Sequence, residues 1–344
     1  MNAFSVRGST VVVVGAARSG AAAARLLVDR GARVVLSEQR REVAEPVRRL
    51  EDAGVELELG GHRPGTLARA DLVVLSPGVS PALALFDDVR RRGVPLISEL
   101  ELASRWLRGR VVAVTGTKGK STTVVLAGRM LEAGGWDVLV GGNVGTALST
   151  QVDGSTPETV HVVEASSFQL ELTDTFRPSI AVLLNLHRDH LDRHEGYAAY
   201  AAAKARIFAN QTGSDTLVVN ADDPEVLRMA RGSRARQVPY GLSATIDAGI
   251  AVAGGAIVRR TAAGEDPLVP LSAVHVMGRH LLSDVLAASA VASLVGVSAD
   301  EMTRAVDGFT GLDHALAPAG EVGGVRFVDD SKATNVAAAR CAIE

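Results

Sequence analysis

A chain of 344 residues is longer than one typical domain, so two or three are expected, and 47% hydrophobic residues suffice for sizeable cores. A net charge of −3 with no basic face evident from composition argues against a nucleic-acid partner, and 3% aromatics argue against a base-stacking surface. The single cysteine, Cys341, leaves no disulfide framework and fits a reducing cytoplasm. With no signal-peptide pattern and no apolar run of bilayer length, no membrane association is expected either.

Residues 1–98 read as one α/β unit. Thr10-Val-Val-Val-Val14 is a predicted strand, Ser19 to Arg30 an alanine-rich helix, and Arg33-Val-Val-Leu36 a second strand. The turn between the first strand and the helix, Gly15-Ala-Ala-Arg-Ser-Gly20, is an imperfect dinucleotide fingerprint, because Ala17 replaces the middle glycine. Glu38 follows the second strand. It reads equally as a ligand for a ribose hydroxyl and as a solvated strand end. Asp71-Leu-Val-Val-Leu75 is another strand. It ends in Ser76-Pro-Gly-Val-Ser80, a break that suits ligand binding at a strand's carboxyl end.

Residues 99–311 read as a larger unit built around Val111 to Thr123. Val111–Val114 is a buried strand, Thr115–Gly119 a glycine turn, and a helix runs from Ser121. Strand, glycine loop and helix in that order make a phosphate cradle, with loop N–H groups and the helix N-terminus facing the anion. Lys120 would reach the outer phosphates and the Ser121 hydroxyl would hold Mg²⁺. The loop is shorter than the full motif, which wants a glycine where Val114 stands.

Further strands are predicted at 137–140, 159–163, 180–184 and 216–219, with helices over 197–210 and 278–295. This alternation predicts a mainly parallel, doubly wound sheet with ligands beyond the strands' carboxyl ends. There lie Gly141-Gly-Asn-Val-Gly145, Glu164-Ala-Ser-Ser-Phe-Gln-Leu170, Asn185-Leu-His-Arg-Asp-His190 and Asn220-Ala-Asp-Asp-Pro224. Residues 235–275 predict a small antiparallel excursion. Glu164 and His190, ending strands beside the phosphate loop, could hold a divalent cation between a nucleotide's phosphates and a second substrate. His187 and His194 read as ordinary loop histidines, and Lys204, in Ala201-Ala-Ala-Lys-Ala205, reads by itself as a solvated position.

Residues 312–344 hold a strand, Gly324–Val328, then Asp329-Asp-Ser-Lys-Ala-Thr-Asn335 and the start of a helix. These cannot bury a core by themselves, so they predict the beginning of a third α/β domain.

Five strings in order resemble the Mur ligase family: Thr115-Gly-Thr-Lys-Gly-Lys-Ser-Thr-Thr123, Glu164–Leu170, Asp189-His-Leu-Asp-Arg193, Ala201–Lys204 and Asp330-Ser-Lys-Ala-Thr-Asn335. The second and the last favour the member that adds D-glutamate to UDP-N-acetylmuramoyl-L-alanine in cytoplasmic peptidoglycan synthesis. The resemblance implies a three-domain enzyme whose first domain holds the uridine diphosphate, whose second holds ATP, and whose third helps bind the amino acid; a monomer is expected. By resemblance, Ser19, Glu38, Ser76, Pro77 and Gly78 bind the UDP end, and Asn143, Ser166, Gln169 and His190 the rest of that substrate. ATP contacts fall on Gly116, Thr117, Lys118, Gly119, Lys120, Ser121, Thr122, Asp284, Asp330 and Lys332. Metal ligation falls on Ser121, Glu164, His190 and Lys204. Lys204 matches the family's carbamylated lysine, and Lys120, His190, Lys204 and Lys332 match its catalytic set.

The pattern is broken at Leu281 and Asp284, where the family usually has asparagine, at Ala315 in place of an arginine, and at Arg188. Losing one charge-assisted contact costs about 1.5–3 kcal/mol, so ATP affinity is where these changes would act. The resemblance also implies about 100–150 further residues for a third domain. Little ligase activity is therefore expected of residues 1–344 alone. The rival readings are a related ligase with another acceptor such as L-glutamate, a non-catalytic nucleotide-binding module, and a nicotinamide dehydrogenase.

Overall fold

The computed structural model describes residues 4–331 and 333. The N-terminal sheet has five parallel strands: β1 (Thr10–Val14), β2 (Arg33–Glu38), β3 (Glu56–Leu59), β4 (Leu72–Leu75) and β5 (Leu96–Ser98), in the order β3-β2-β1-β4-β5. A run of four valines makes sense in β1 because both faces are covered. Val11 and Val13 enter one core with Ala23, Leu27 and Leu36, whereas Val12 and Val14 enter another with Phe86 and Val89. Burying each such side chain contributes about 1.5–3 kcal/mol. The helix Arg18–Asp29 covers one face with its alanines and leucines. Strand order reverses on either side of β1, which opens a crevice at its carboxyl end.

The second sheet has nine strands: β6 (Arg110–Thr115), β7 (Val138–Gly142), β8 (Val160–Glu164), β9 (Ile180–Leu183), β10 (Thr216–Asn220), β11 (Arg236–Tyr240), β12 (Gly249–Ala253), β13 (Ala256–Thr261) and β14 (Gly264–Pro270). Its order is β14-β13-β12-β11-β10-β9-β6-β8-β7. Val112 and Val114 of β6 pack under the helices Lys120–Ala133 and Arg279–Val295, and Ala113 packs on the opposite face. The expected small excursion over 235–275 needs correction: β11 continues the parallel sheet, and only the β12–β14 pairings are antiparallel, extending the same sheet. The helix predicted over 197–210 runs Gly196–Ala205 and tightens into a 3₁₀ turn, Arg206–Phe208.

The helix Glu99–Ser104 joins the two sheets. Glu101 is fully buried and accepts N–H bonds from Asp174, Thr175 and Phe176, the Thr175 hydroxyl, and the Arg105 guanidinium. A two-stranded hairpin, β15 (Ala317–Val322) and β16 (Val325–Asp329), follows. No helix among the described residues is long and apolar enough to cross a membrane.

Candidate functional site: a cleft beside a phosphate loop

At the carboxyl end of β1 the chain must turn sharply into a helix. Gly15 takes a φ of +95°, and a Cβ on Gly20 would collide with the Gly15 carbonyl and fall 2.6 Å from Ser76 Oγ. Ser76 Oγ donates to that carbonyl at 2.8 Å, tying the turn to the end of β4. Glu38 accepts the Ala16 N–H at 2.7 Å and the Arg40 N–H at 3.1 Å. Burial pushes its carboxyl up, but these bonds and the Arg40 guanidinium outweigh that and hold it below the ordinary carboxylate value. Glu38 is therefore a buried anion that shapes the turn rather than a solvated strand end.

This turn forms one wall of a cleft of about 540 Å³. Ser19, Glu38, Ser76, Pro77, Gly78, Asn143 and Gln169, all expected at the substrate, line it, together with Arg18, Arg40 and His62. Ser166 does not. It caps the helix Ser167–Leu170 in a reciprocal box with Gln169, whose own amide Nε2 is buried without a partner among the described residues. A cleft-lining donor left unpartnered in this way suits a polar ligand.

The phosphate loop lies beyond β6. Gly119, at φ +81°, starts the helix Lys120–Ala133. Asn185, at the end of β9, fixes the loop: its Oδ1 accepts the Thr117 and Lys118 N–H groups at 3.0 and 2.8 Å, and its Nδ2 donates to the Lys118 carbonyl at 3.1 Å. Thr117 Oγ1 also lies 2.9 Å from the Tyr200 hydroxyl. Asn185 and Tyr200 went unassigned from the sequence, although Asn185 opens a polar cluster at a strand's carboxyl end. Lys120 Nζ donates to the Gly116 and Thr117 carbonyls at 3.1 and 3.0 Å. Burial pushes its pKa down, against the pull of Glu164.

Ser121 Oγ donates to Glu164 Oε2 at 2.6 Å, and Asn143 Nδ2 donates to Glu164 Oε1 at 2.7 Å. A hydroxyl and a buried carboxylate beside a phosphate loop are hard oxygen donors, and they fit Mg²⁺, which takes one or two protein ligands alongside phosphate oxygens. Among the described residues no group of three or more His, Cys, Asp or Glu could hold a metal unaided. His190 is half-exposed, has a φ of +53°, and meets the Phe168 ring edge-on at 4.9 Å. The polar cluster at 220–224 is structural: Asp223 caps the helix Pro224–Ala230, and Asp222 accepts the Leu242, Ser243 and Ala244 N–H groups.

Two sequence expectations are corrected here. Lys204 is not solvated: it is 2% exposed, and its Nζ donates to the Gly116 carbonyl at 2.7 Å. Burial, and then the neighbouring Lys120, push its pKa well down. His194 is not an ordinary loop residue: it is buried, bonds Ser167 Oγ at 2.9 Å and stacks on Phe168 at 5.3 Å.

Asp284 is buried against Gly119, and a Cβ there would sit 2.7 Å from its Cγ. Burial pushes its carboxyl well up, opposed by Lys120. Leu281 is buried three residues before Asp284 on the helix Arg279–Val295. Asp330 Oδ1 accepts the Leu316 N–H at 3.2 Å. Lys332 lies outside the described residues.

Residues 114–292 match the model of the Mur ligase middle domain, and residues 9–98 that of the Mur ligase MurD-like N-terminal domain. The chain is 45% identical to the UDP-N-acetylmuramoylalanine–D-glutamate ligase of Acidobacterium capsulatum, over 99% of this chain and 75% of that protein. It is 39% identical to the ligase of the same name from Desulfosudis oleivorans, over 100% of this chain and 75% of that protein. Among solved structures, it resembles UDP-N-acetylmuramate:L-alanyl-γ-D-glutamyl-meso-diaminopimelate ligase from Neisseria meningitides (TM-score 0.62, 20% identity, 89% of this chain and 99% of that one). It also resembles a pseudomurein peptide ligase type C from Methanothermus fervidus (TM-score 0.56, 19% identity, 98% and 77%). These two show a shared fold.

Proposed function

The chain belongs to the Mur ligase family, and we propose that it acts there as an ATP-dependent amide ligase adding D-glutamate to UDP-N-acetylmuramoyl-L-alanine. The observation that carries this reading is the adjacency of two built sites: a cleft at the N-terminal sheet, and a phosphate loop joined to it through Asn143 and Glu164.

A carboxylate is a poor acyl donor, so the alanine carboxylate first takes the γ-phosphoryl group of ATP. A carboxylate oxygen bonds phosphorus as the bond to ADP breaks. Two anions must approach one another, and the loop N–H groups, the helix N-terminus and Lys120 offset their repulsion. Ser121 and Glu164 would hold Mg²⁺, with His190 assigned beside them, and the ion would neutralise further phosphate charge. The glutamate amine then attacks the acyl carbon and phosphate leaves. Lys204 is assigned as a carbamate: its depressed pKa supplies the neutral amine that CO₂ requires, and the new carboxylate would face Lys120. Asp330 and Lys332 are assigned to the nucleotide phosphates, and the protein is taken as a cytoplasmic monomer. Residues 1–98 are taken as the UDP-side domain, 99–311 as the ATP domain, and 312–344 as the start of a third.

Calorimetric titration tests the reading. UDP-N-acetylmuramoyl-L-alanine should bind and be displaced by UDP, and NADH should give no heat. Binding of NADH with none of the UDP-sugar would favour the dehydrogenase instead.

A further inference from the structure

Arg18 belongs to neither set of residues assigned above, yet it stands between them. It follows Ala17 in the glycine turn and lines the cleft. Its Nη2 donates to the backbone carbonyl of Asn143 at 2.8 Å, across to the end of the second sheet. Asn143 holds Glu164 twice: its N–H donates to the Glu164 carbonyl at 2.9 Å and its Nδ2 to Oε1 at 2.7 Å. Glu164 Oε2 in turn accepts the Ser121 hydroxyl. An unbroken hydrogen-bonded path thus runs from a guanidinium in the cleft to the first turn of the phosphate-loop helix.

We propose that Arg18 is a positioning residue that couples occupancy of the cleft by a nucleoside diphosphate to binding of magnesium-nucleotide at the phosphate loop. The proposal rests on the cleft and loop being the UDP and ATP sites. The guanidinium carries five N–H donors, and one of them is committed to Asn143. Among the described residues the guanidinium makes no other hydrogen bond, though the buried Glu99 feels its charge, and its remaining donors can meet an anion in the cleft, where a charge-assisted, forked contact with phosphate is stronger than a neutral one. An anion sharing the guanidinium with Asn143 fixes an otherwise exposed, rotamer-rich side chain. It thereby fixes the Asn143 backbone, and with it the direction of the Glu164 carboxylate toward Ser121. A ligand at the loop then meets a carboxylate already aimed, so each ligand favours the other.

Titration of the chain with magnesium-ADP, with and without saturating UDP, reads the coupling directly. In the wild type, UDP should tighten magnesium-ADP by about 5-fold or more, and magnesium-ADP should tighten UDP by the same factor. In Arg18→Ala both ligands should still bind, with the mutual factor reduced to near one. Arg18→Lys keeps one donor for Asn143 but no fork, and should restore part of it. A residue needed only for docking the two sheets would instead weaken both ligands and leave their mutual factor intact. An unchanged factor in Arg18→Ala, or two ligands that bind the wild type without mutual effect, overturns the coupling alone. Failure of UDP or magnesium-ADP to bind the wild type overturns the underlying site assignment as well.

Discussion

Lys120 and Lys204 donate to the same acceptor, the carbonyl oxygen of Gly116, at 3.1 and 2.7 Å. Two amines on one carbonyl, Lys204 buried and Lys120 partly so, cannot both carry full charge without repulsion, and Lys120 lowers the pKa of Lys204 on top of burial. Tyr200 lies against the pair, with its ring centroid 4.8 Å from Lys204 Nζ, and burial pushes its hydroxyl up to about 12, so it supplies no counter-charge at neutral pH.

A neutral amine is the species that attacks CO₂. The N–C bond forms as the amine proton leaves to solvent. Carbon-13 bicarbonate should therefore give a carbamate resonance in the wild type that is absent from Lys204→Arg. Because the amine's pKa is depressed, the resonance should appear at lower pH than for a free lysine. Equal signals from the two proteins would remove Lys204 as the modified residue.

Gly20→Ala should damage the cleft from beneath. The new methyl group would strike the Gly15 carbonyl, which is rigid backbone, and also crowd Ser76 Oγ, which ties the turn to β4. Overpacking of this kind costs about 1–3 kcal/mol. Urea denaturation should show that loss, and UDP-sugar binding should weaken further than stability alone requires. Wild-type stability in this variant would contradict the tight turn.

The strand–loop–helix of the phosphate site was legible because valine runs, a glycine turn and a helical stretch are local signals. The cleft residues Ser19, Glu38 and Ser76 came from the family resemblance, and the strand order of the parallel sheet puts them on one crevice. What stayed hidden depends on contacts between distant segments. Asn185 locks a loop 67 and 68 residues away, and Arg18 reaches a carbonyl 125 residues on. Lys204 looked solvated because its alanine neighbours give a helix no polar side, so periodicity could not say which face is buried. The extent of the second sheet was hidden for a related reason. The switch from parallel to antiparallel pairing at β12 is a matter of register, not of residue type.

Stability should fall in acid in two stages. His161 is fully buried between Ser155 and Gln151, and burial pushes its pKa down, as it does for His194 and His280. The unfolded chain then binds these protons first, so stability present above about pH 6.5 is lost as pH falls through the folded values. For Glu101, burial pushes up, but hydrogen bonds from Thr175, Asp174 and Arg105 hold the carboxyl low. Its contribution persists above about pH 4.3 and is lost below that. Glu101→Gln should remove about 3–5 kcal/mol by breaking this buried cluster, and should flatten the lower stage. Urea midpoints measured from pH 8 to pH 3 follow both stages. Because the raised Asp284 carboxyl titrates with the opposite sign over the same range, the histidine stage is read in Asp284→Asn, where a flat profile between about pH 6.5 and 5 would rule it out.

Asp284 has the opposite sign. Burial against Gly119 raises its carboxyl well above the ordinary value, so the native state keeps a proton that the unfolded chain releases. The stability this gives is complete below about pH 3.9 and is lost as pH rises through the folded value. Asp284→Asn keeps the shape and removes the ionisation, so at pH 7 it should be more stable than the wild type by about 1–3 kcal/mol, with the gap closing toward pH 4. The same change removes a carboxyl pressed on the loop where phosphate anions would arrive, and supplies an amide donor instead. Magnesium-ADP should accordingly bind more tightly to Asp284→Asn than to the wild type, with the greatest gain at high pH. If the variant bound more weakly at every pH, the carboxyl would have to be a partner of the nucleotide rather than an obstacle to it.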